Sequence, residues 1–275
     1  MKFGKRFCYN GKWSDDIIDD KIVLCTFDGM EDATSGLSRS FLKNEITMSR
    51  PIANHFGIKY DDVLSFPVTI VKCNGDYFTR DEISKINKYL TSAKTPKLLR
   101  VEDEDNYFDE GADVIDYFGC FTNVEFKSVG DTAGIKYTFT CNAPYGFSKP
   151  KSHIFSNNNL SGNVVINSDE TEEYIYPTYT IKTLSDGEVT VNNVTDNNSK
   201  MTYTLEKNCI YEFNSYLCTV KKNGENIFLE DVGLVDDVGY IYWLRLVDGV
   251  NKLQFTGDVE SILIQYRTPK KVGEV

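Results

Sequence analysis

The sequence predicts a mainly β protein of two domains, an α+β domain followed by an antiparallel β-sandwich. Three observations lead there. One stretch, Phe66 to Val101, reads as strand, turn, capped helix and strand, and it holds the one firm helical pattern in the chain. From about residue 163 onward, short β-rich runs alternate with turn signals and no helical period interrupts them. The 275 residues exceed the usual size of one domain, and 41% of them are hydrophobic, enough for two cores.

The helix is specified residue by residue. Phe66 to Cys73 is rich in β-branched residues and suits a pleated surface. Asn74-Gly75-Asp76 is a turn signal, because Asn and Gly tolerate positive φ. Thr79-Arg80-Asp81-Glu82 is a capping box, and Phe78 and Ile83 stand where a hydrophobic staple forms. Ile83, Ile86 and Leu90 recur at helical spacing, so one stripe faces a core. The helix is expected over 79–92, ended by Pro96. A helix this short is marginal alone in water, so it must lie on a sheet. Nothing in it carries chemistry.

The other elements follow in order. Residues 3–9 and 22–28 read as short strands, with a turn at Asn10-Gly11. Ile17-Ile18, between aspartates, reads as a loop or a single helical turn. A Ser- and Thr-rich lead-in, 34–43, precedes an expected strand from Glu45 to Arg50, bounded by Pro51, and 55–60 reads as extended. The acidic run from Glu102 to Asp116 lacks the alternating oxygens and central Gly of a calcium loop and reads as solvated. Residues 117–126 and 135–141 form a long hairpin, in which Ile135, Tyr137, Phe139 and Cys141 alternate with polar residues. Ala143 to Pro150 and Asn157 to Asn163 break the pattern. They set expected domains at 1–150 and 163–265. Strands are then expected at 163–167, 174–182, 188–195, 200–205, 209–220, 240–247, 252–256 and 260–267.

Composition narrows the function. A formal charge of -11 argues against a surface that coats nucleic acid, while an acidic channel would let it slide past. The seven cysteines form no CxxC pair and read as buried thiols. Met1 to Arg6 is not followed by an apolar run, so no signal peptide is expected, nor any membrane span. A reducing cytoplasm is the expected site of synthesis. There is no phosphate-cradling Gly-rich loop, HExxH or Gly-x-Ser-x-Gly motif, and only two histidines, His55 and His153. No catalytic residue, metal ligand or cofactor is assigned. The 41 acidic residues leave open a carboxylate pair for glycoside hydrolysis, with no spacing to choose it. In the aromatic-rich second half, Tyr240, Tyr242 and Trp243 are the candidates for stacking on a sugar or a partner. Core packing is the better reading of them.

Together the residues resemble the distal tail protein (Dit) family of long-tailed phages infecting Gram-positive bacteria. The similar run begins at Phe66-Pro67-Val68-Thr69-Ile70 and continues through Phe78 to Ile83, Tyr89-Leu90-Thr91 and Pro96 to Leu99. Tyr117-Phe118-Gly119-Cys120-Phe121 is similar to the family's aromatic-Gly strand. Gly134 to Cys141 with Ala143-Pro144-Tyr145-Gly146 resembles its end-of-domain signature, and Tyr266 to Gly273 its closing tail. The resemblance implies a β-sandwich or barrel-like ring domain with one helix, then a galectin-like sandwich. The tail, 266–275, would return to the first domain.

It implies a structural virion protein, not an enzyme. Six copies would form a ring, single or paired back to back with a second ring, at the end of the tail tube. The ring would join the tube protein to the tail-associated lysin, tail fibre or receptor-binding proteins of the baseplate. DNA would pass only transiently through the channel, past a wall richer in acidic than basic side chains, and no membrane partner is implied. Such a particle would be assembled in the host cytoplasm and reside in the virion tail; a phage-tail-like bacteriocin would need the same part. Ring contacts would use sheet edges, with Glu45 to Arg50 and the 117–141 hairpin as candidates. The alternative is a carbohydrate-binding host-recognition module in the second domain, and a third reading is a cell-wall hydrolase.

Overall fold

The structure, a computed structural model, describes residues 5–25, 36–44, 48–49, 52–102, 114–233 and 241–271. The chain divides into two units, Met1–Phe147 with Lys270–Val275, and Ser148–Pro269. The first unit contains β1 (Phe7–Tyr9), β2 (Lys12–Trp13), β3 (Ile22–Leu24), β4 (Arg39–Lys43), β5 (His55–Tyr60) and β6 (Ser65–Lys72). Helix α1 (Arg80–Thr91) follows, then β7 (Lys97–Val101), β8 (Ile115–Val129), β9 (Asp131–Cys141) and β10 (Gly146–Ser148).

The main sheet runs β2-β1-β7-β8-β9-β6-β3, antiparallel at every step for which register is defined. It curls until β3 meets the chain just before β1: the Leu24 N–H donates to the Lys5 carbonyl at 2.9 Å. The barrel-like expectation therefore holds, and the curl leaves this sheet little free edge. Gly119 shows why the aromatic-Gly strand needs its glycine. A Cβ there would lie 2.2 Å from the Thr140 carbonyl oxygen of β9. Inside are Phe7, Tyr9, Phe66, Ile70, Tyr117, Tyr137 and Phe139.

Helix α1 covers this core with Ile86 and Leu90, both fully buried. Its start is the capping box read from the sequence: the Glu82 N–H donates to Thr79 Oγ1, and the Thr79 N–H to Glu82 Oε2 at 2.7 Å. The other carboxylate oxygen of Glu82 holds the buried Lys72 ammonium at 2.8 Å, and Asp20 holds it from the other side at 2.8 Å. One glutamate thus caps the helix and ties it to β6.

Burial by itself would raise the Glu82 pKa, but hydrogen bonds from Lys72 and Thr79 outweigh it and hold the carboxyl below its usual range. Burial lowers the Lys72 pKa, and the two carboxylates more than reverse that. The depressed Glu82 pKa gives stability above the ordinary value of about 4.3, lost as pH falls through the folded value. The raised Lys72 pKa gives stability below about 10.4, lost as pH rises through its folded value. Acid titration of the helical circular dichroism is expected to show earlier loss in the parent chain than a Glu82-independent fold would. Glu82→Gln should flatten that acid limb while lowering stability at neutral pH. Superimposable acid limbs would contradict the clamp.

The second unit contains β11 (Lys151–Ser156), β12 (Ser161–Ile166), β13 (Thr178–Thr183), β14 (Gly187–Asn193) and β15 (Ser199–Leu205). These are followed by β16 (Ile210–Asn214), β17 (Thr219–Lys222), β18 (Glu225–Ile227), β19 (Gly249–Thr256) and β20 (Val259–Tyr266). A six-stranded sheet, β11-β20-β13-β16-β17-β18, packs on a four-stranded one, β12-β19-β14-β15, around an apolar core. Finally β21 (Pro269–Lys270) pairs with β10 and so joins the first sheet.

Three local readings change. Residues 151–156, read as linker, form edge strand β11 along β20. The run 209–220 is two strands around a turn, since Asn214 Oδ1 accepts from the Leu217 N–H and Cys218 takes φ +54°. Of 240–247, the described residues 241–247 form no ladder; the backbone only bridges Leu246 to Ile175.

The two sheets are joined by a hydrogen bond inside the core. The Tyr179 and Tyr203 hydroxyls lie 2.7 Å apart, and the Tyr179 ring stacks on Phe213 at 4.9 Å. Burial pushes the Tyr203 hydroxyl up to about 12 and Tyr179 well above its ordinary value. Tyr179→Phe leaves the Tyr203 hydroxyl unpaired and should cost about 2 kcal/mol. The double change Tyr179→Phe with Tyr203→Phe should cost less than twice that, because no orphaned polar group remains. Additive losses in urea melts would show that the two hydroxyls do not share a bond.

Candidate assembly surface

The arm formed by β4 and β5 contributes no residue to the core of the first unit. They pair as a two-stranded antiparallel sheet of their own, Arg39 opposite Tyr60 and Phe41 opposite Ile58, with an irregularity before Lys43 and His55. The ends of the connecting loop are held together by the Asn54 N–H donating to Asn44 Oδ1 at 2.6 Å. Below the arm, the Ser40 hydroxyl donates to Asp61 at 2.7 Å, and the Asp61 N–H to the Ser38 carbonyl.

No residue of either strand is buried, yet the arm is apolar. Phe41, Phe56 and Ile58 are 56%, 69% and 53% exposed. Phe41 and Ile58 are cross-strand partners, and Phe56 follows on the same face of β5 as Ile58. Of the nine large apolar side chains that the first unit exposes among the described residues, six lie between Phe41 and Ile58. A two-stranded ribbon is marginal in water, and exposed apolar side chains so concentrated mark an interaction surface.

The sequence placed this surface a few residues too late. Of the expected strand from Glu45 to Arg50, Met48 and Ser49 lie in a turn, and residues 45–47 and 50 lie outside the described residues. The 117–141 hairpin is a poorer edge than expected, because β9 lies between β8 and β6 inside the sheet. Its exposed part is the outer half of β8, where Phe126 and Val129 face solvent.

The other candidates are dispersed. Tyr242 points inward and its hydroxyl donates to the buried Asp196 carboxylate at 3.1 Å, so its face is not open for stacking. Trp243 is half-buried against the second core, and Tyr240 lies outside the described residues. His55 is on the exposed arm against Phe41, and His153 lies on β11 against Phe155. Among the described residues no group of three or more His, Cys, Asp or Glu is placed to hold a metal ion. No helix among them is long and apolar enough to cross a membrane. Cys141 is buried, as expected of the thiols, but Cys73 and Cys218 are exposed.

In the acidic run, residues 103–113 lie outside the described residues, and Asp116 is not solvated as expected. It is fully buried and accepts from Arg100 Nε at 2.7 Å. The last described residue, Lys271, lies with Arg39 near the Tyr60 ring, each 5.9 Å from its centroid.

A family model described as a phage tail protein N-terminal domain matches residues 2–143, and its companion, a phage tail C-terminal domain, matches 145–266. The chain belongs to this family of phage tail proteins. The tail protein also shares its fold with solved structures over nearly its whole length. One is the SPP1 Dit protein, described as a paradigm of the hub adsorption apparatus in Gram-positive infecting phages. It gives a TM-score of 0.63 at 14% identity, covering 96% of this chain and 98% of that one. Another is from the phage P2 baseplate in its activated conformation with calcium, at a TM-score of 0.54 and 11% identity, covering 97% and 98%. The same baseplate with strontium gives 0.53 at 11% identity, covering 98% of each chain. A search of the curated proteins gives no match. The tail protein is thus a structural component of the phage tail with a hub-like fold.

Proposed function

We propose that this tail protein is the subunit of a distal-tail hub. Six copies close a ring that joins the tail tube to the tail-tip proteins, among them the tail-associated lysin and receptor-binding proteins, and that lets DNA through. Copies assemble in the host cytoplasm before the virion is complete. The observation that carries this reading is the exposed apolar arm, Arg39–Lys43 with His55–Tyr60, a two-stranded sheet separate from the main sheet of its unit. A closed ring needs heterologous contacts, in which a patch on one copy meets a different patch on the next. An arm that reaches from its own barrel and has no core of its own supplies the first of those patches.

An acidic inner wall would complete the passage by repelling DNA, in line with the chain's net charge of -11. The role proposed is structural and not enzymatic. Carbohydrate binding by the second unit takes second place, since Tyr242 is buried and Trp243 half-buried. Light scattering on the purified chain tests the proposal. A particle near six times 31.3 kDa, alone or with tail partners, supports it. A single subunit under all those conditions refutes it.

A further inference from the structure

The arm carries a charge signature that its apolar face does not require. Its strands hold Arg39, Lys43 and Lys59, all exposed, and the described residues from 36 to 60 contain no acidic side chain. None of the three cations has a carboxylate partner among the described residues; Arg39 rests only near the Tyr60 ring. Elsewhere in the same unit three cations are ion-paired, Arg6 to Glu102 and Asp15, Lys72 to Asp20 and Glu82, and Arg100 to Asp116, while Lys12 and Lys97 lie singly on separate strands. The next acids along the chain, Asp61 and Asp62, accept from the Ser40 hydroxyl and the Val63 N–H and form no ion pair with these cations. The protein has a formal charge of -11, yet this exposed hairpin carries three cations with no carboxylate partner among the described residues.

We infer that the arm docks on an acidic surface of a second copy of this chain, and that its cations steer and hold that contact. The inference rests on the ring reading and names what the arm recognises. The strongly negative balance of each copy makes its neighbour the complementary partner, since opposite potentials speed encounter and select register. Phe41, Phe56 and Ile58 supply the buried area, while Arg39, Lys43 and Lys59 supply attraction before the apolar face is covered. Such a contact is screened: at 0.1 M salt the Debye length is about 10 Å, and exposed charges farther apart stop attracting. Ring closure should therefore weaken as salt rises, the reverse of a contact held by apolar burial alone.

The test follows assembly of the full-length chain by light scattering across a sodium chloride series. Beside it runs a variant carrying Arg39→Glu, Lys43→Glu and Lys59→Glu, its fold checked by circular dichroism and melting. Assembly of the parent is expected to weaken about tenfold between low and high salt, and the triple reversal to abolish it at low salt with the melt unchanged. Assembly indifferent to salt and to reversal, yet abolished by Phe41→Ser with Phe56→Ser, would overturn the electrostatic inference and leave the ring intact. Absence of assembly by the parent at every salt concentration, with tail partners present, would overturn both. A duplex oligonucleotide bound by the parent and released by the triple reversal would also overturn it, because the arm's acidic partner would then be DNA. The salt series uses only the unmodified protein, so a variant that fails to fold does not blunt the test.

Discussion

A chain carrying Phe41→Ser and Phe56→Ser is expected to fold normally and to remain a single subunit. Neither ring belongs to the core of the first unit, and each is more than half exposed, so its loss costs little in folding. The melting transition should move by no more than about 0.5 kcal/mol. Assembly is another matter. Covering the exposed part of two aromatic side chains is worth about 3 kcal/mol per contact, a factor of more than a hundred in each association constant. Every contact in a closed ring repeats that loss, so the ring should disappear at concentrations where the parent forms it. A variant that assembles like the parent would remove the arm from the interface.

The second large effect is expected in the other unit. Asp196 is buried, and its carboxylate accepts from Arg245 Nε at 2.6 Å, from Arg245 Nη2 at 3.2 Å and from the Tyr242 hydroxyl at 3.1 Å. The Arg245 guanidinium also lies on the Tyr174 ring, 3.9 Å from its centroid. These contacts fasten the ladder-free chain around Tyr174 and Arg245 to the turn after β14. Arg245→Met leaves a buried carboxylate with one hydroxyl donor and should cost about 3–5 kcal/mol. Adding Asp196→Asn should recover part of that, because the uncompensated charge is gone. Urea melts of the full chain, read by the unfolding of the second unit, measure both. If Arg245→Met melts like the parent, the pair is solvated and does not hold these segments.

What the sequence made legible follows from where a pattern has two sides. The Thr79 to Glu82 box gave the helix start, because a cap needs particular atoms at fixed spacing. Alternation through Ile135, Tyr137, Phe139 and Cys141 gave β9, since one face is buried and the other is less so. Asn10-Gly11 gave the first hairpin turn, with φ of +48° and +82° at the two residues. Strands without a buried face were lost. β4, in Arg-Ser-Phe-Leu-Lys, buries nothing on either side, so periodicity could not distinguish it from the Ser-rich lead-in. β11 buries only Phe155 and sits between Pro150 and the asparagines, which together read as a linker. Buried charges were lost as well: Asp116 closes an acidic run and Asp196 stands among asparagines, and their arginine partners come from elsewhere in the chain. Of the surface proposed for assembly, β5 was legible as an extended piece, while the strand expected beside it lay at a neighbouring stretch in place of β4. That three cations there have no carboxylate partner among the described residues depends on long-range placement, which no local pattern encodes.

The central claim, that copies of this chain close into a hollow ring, is tested most directly by negative-stain microscopy of the purified protein with and without its tail partners. Annular particles with six-fold symmetry are the expected result. Fields of isolated subunits in both preparations, at concentrations where the protein is folded, would contradict it.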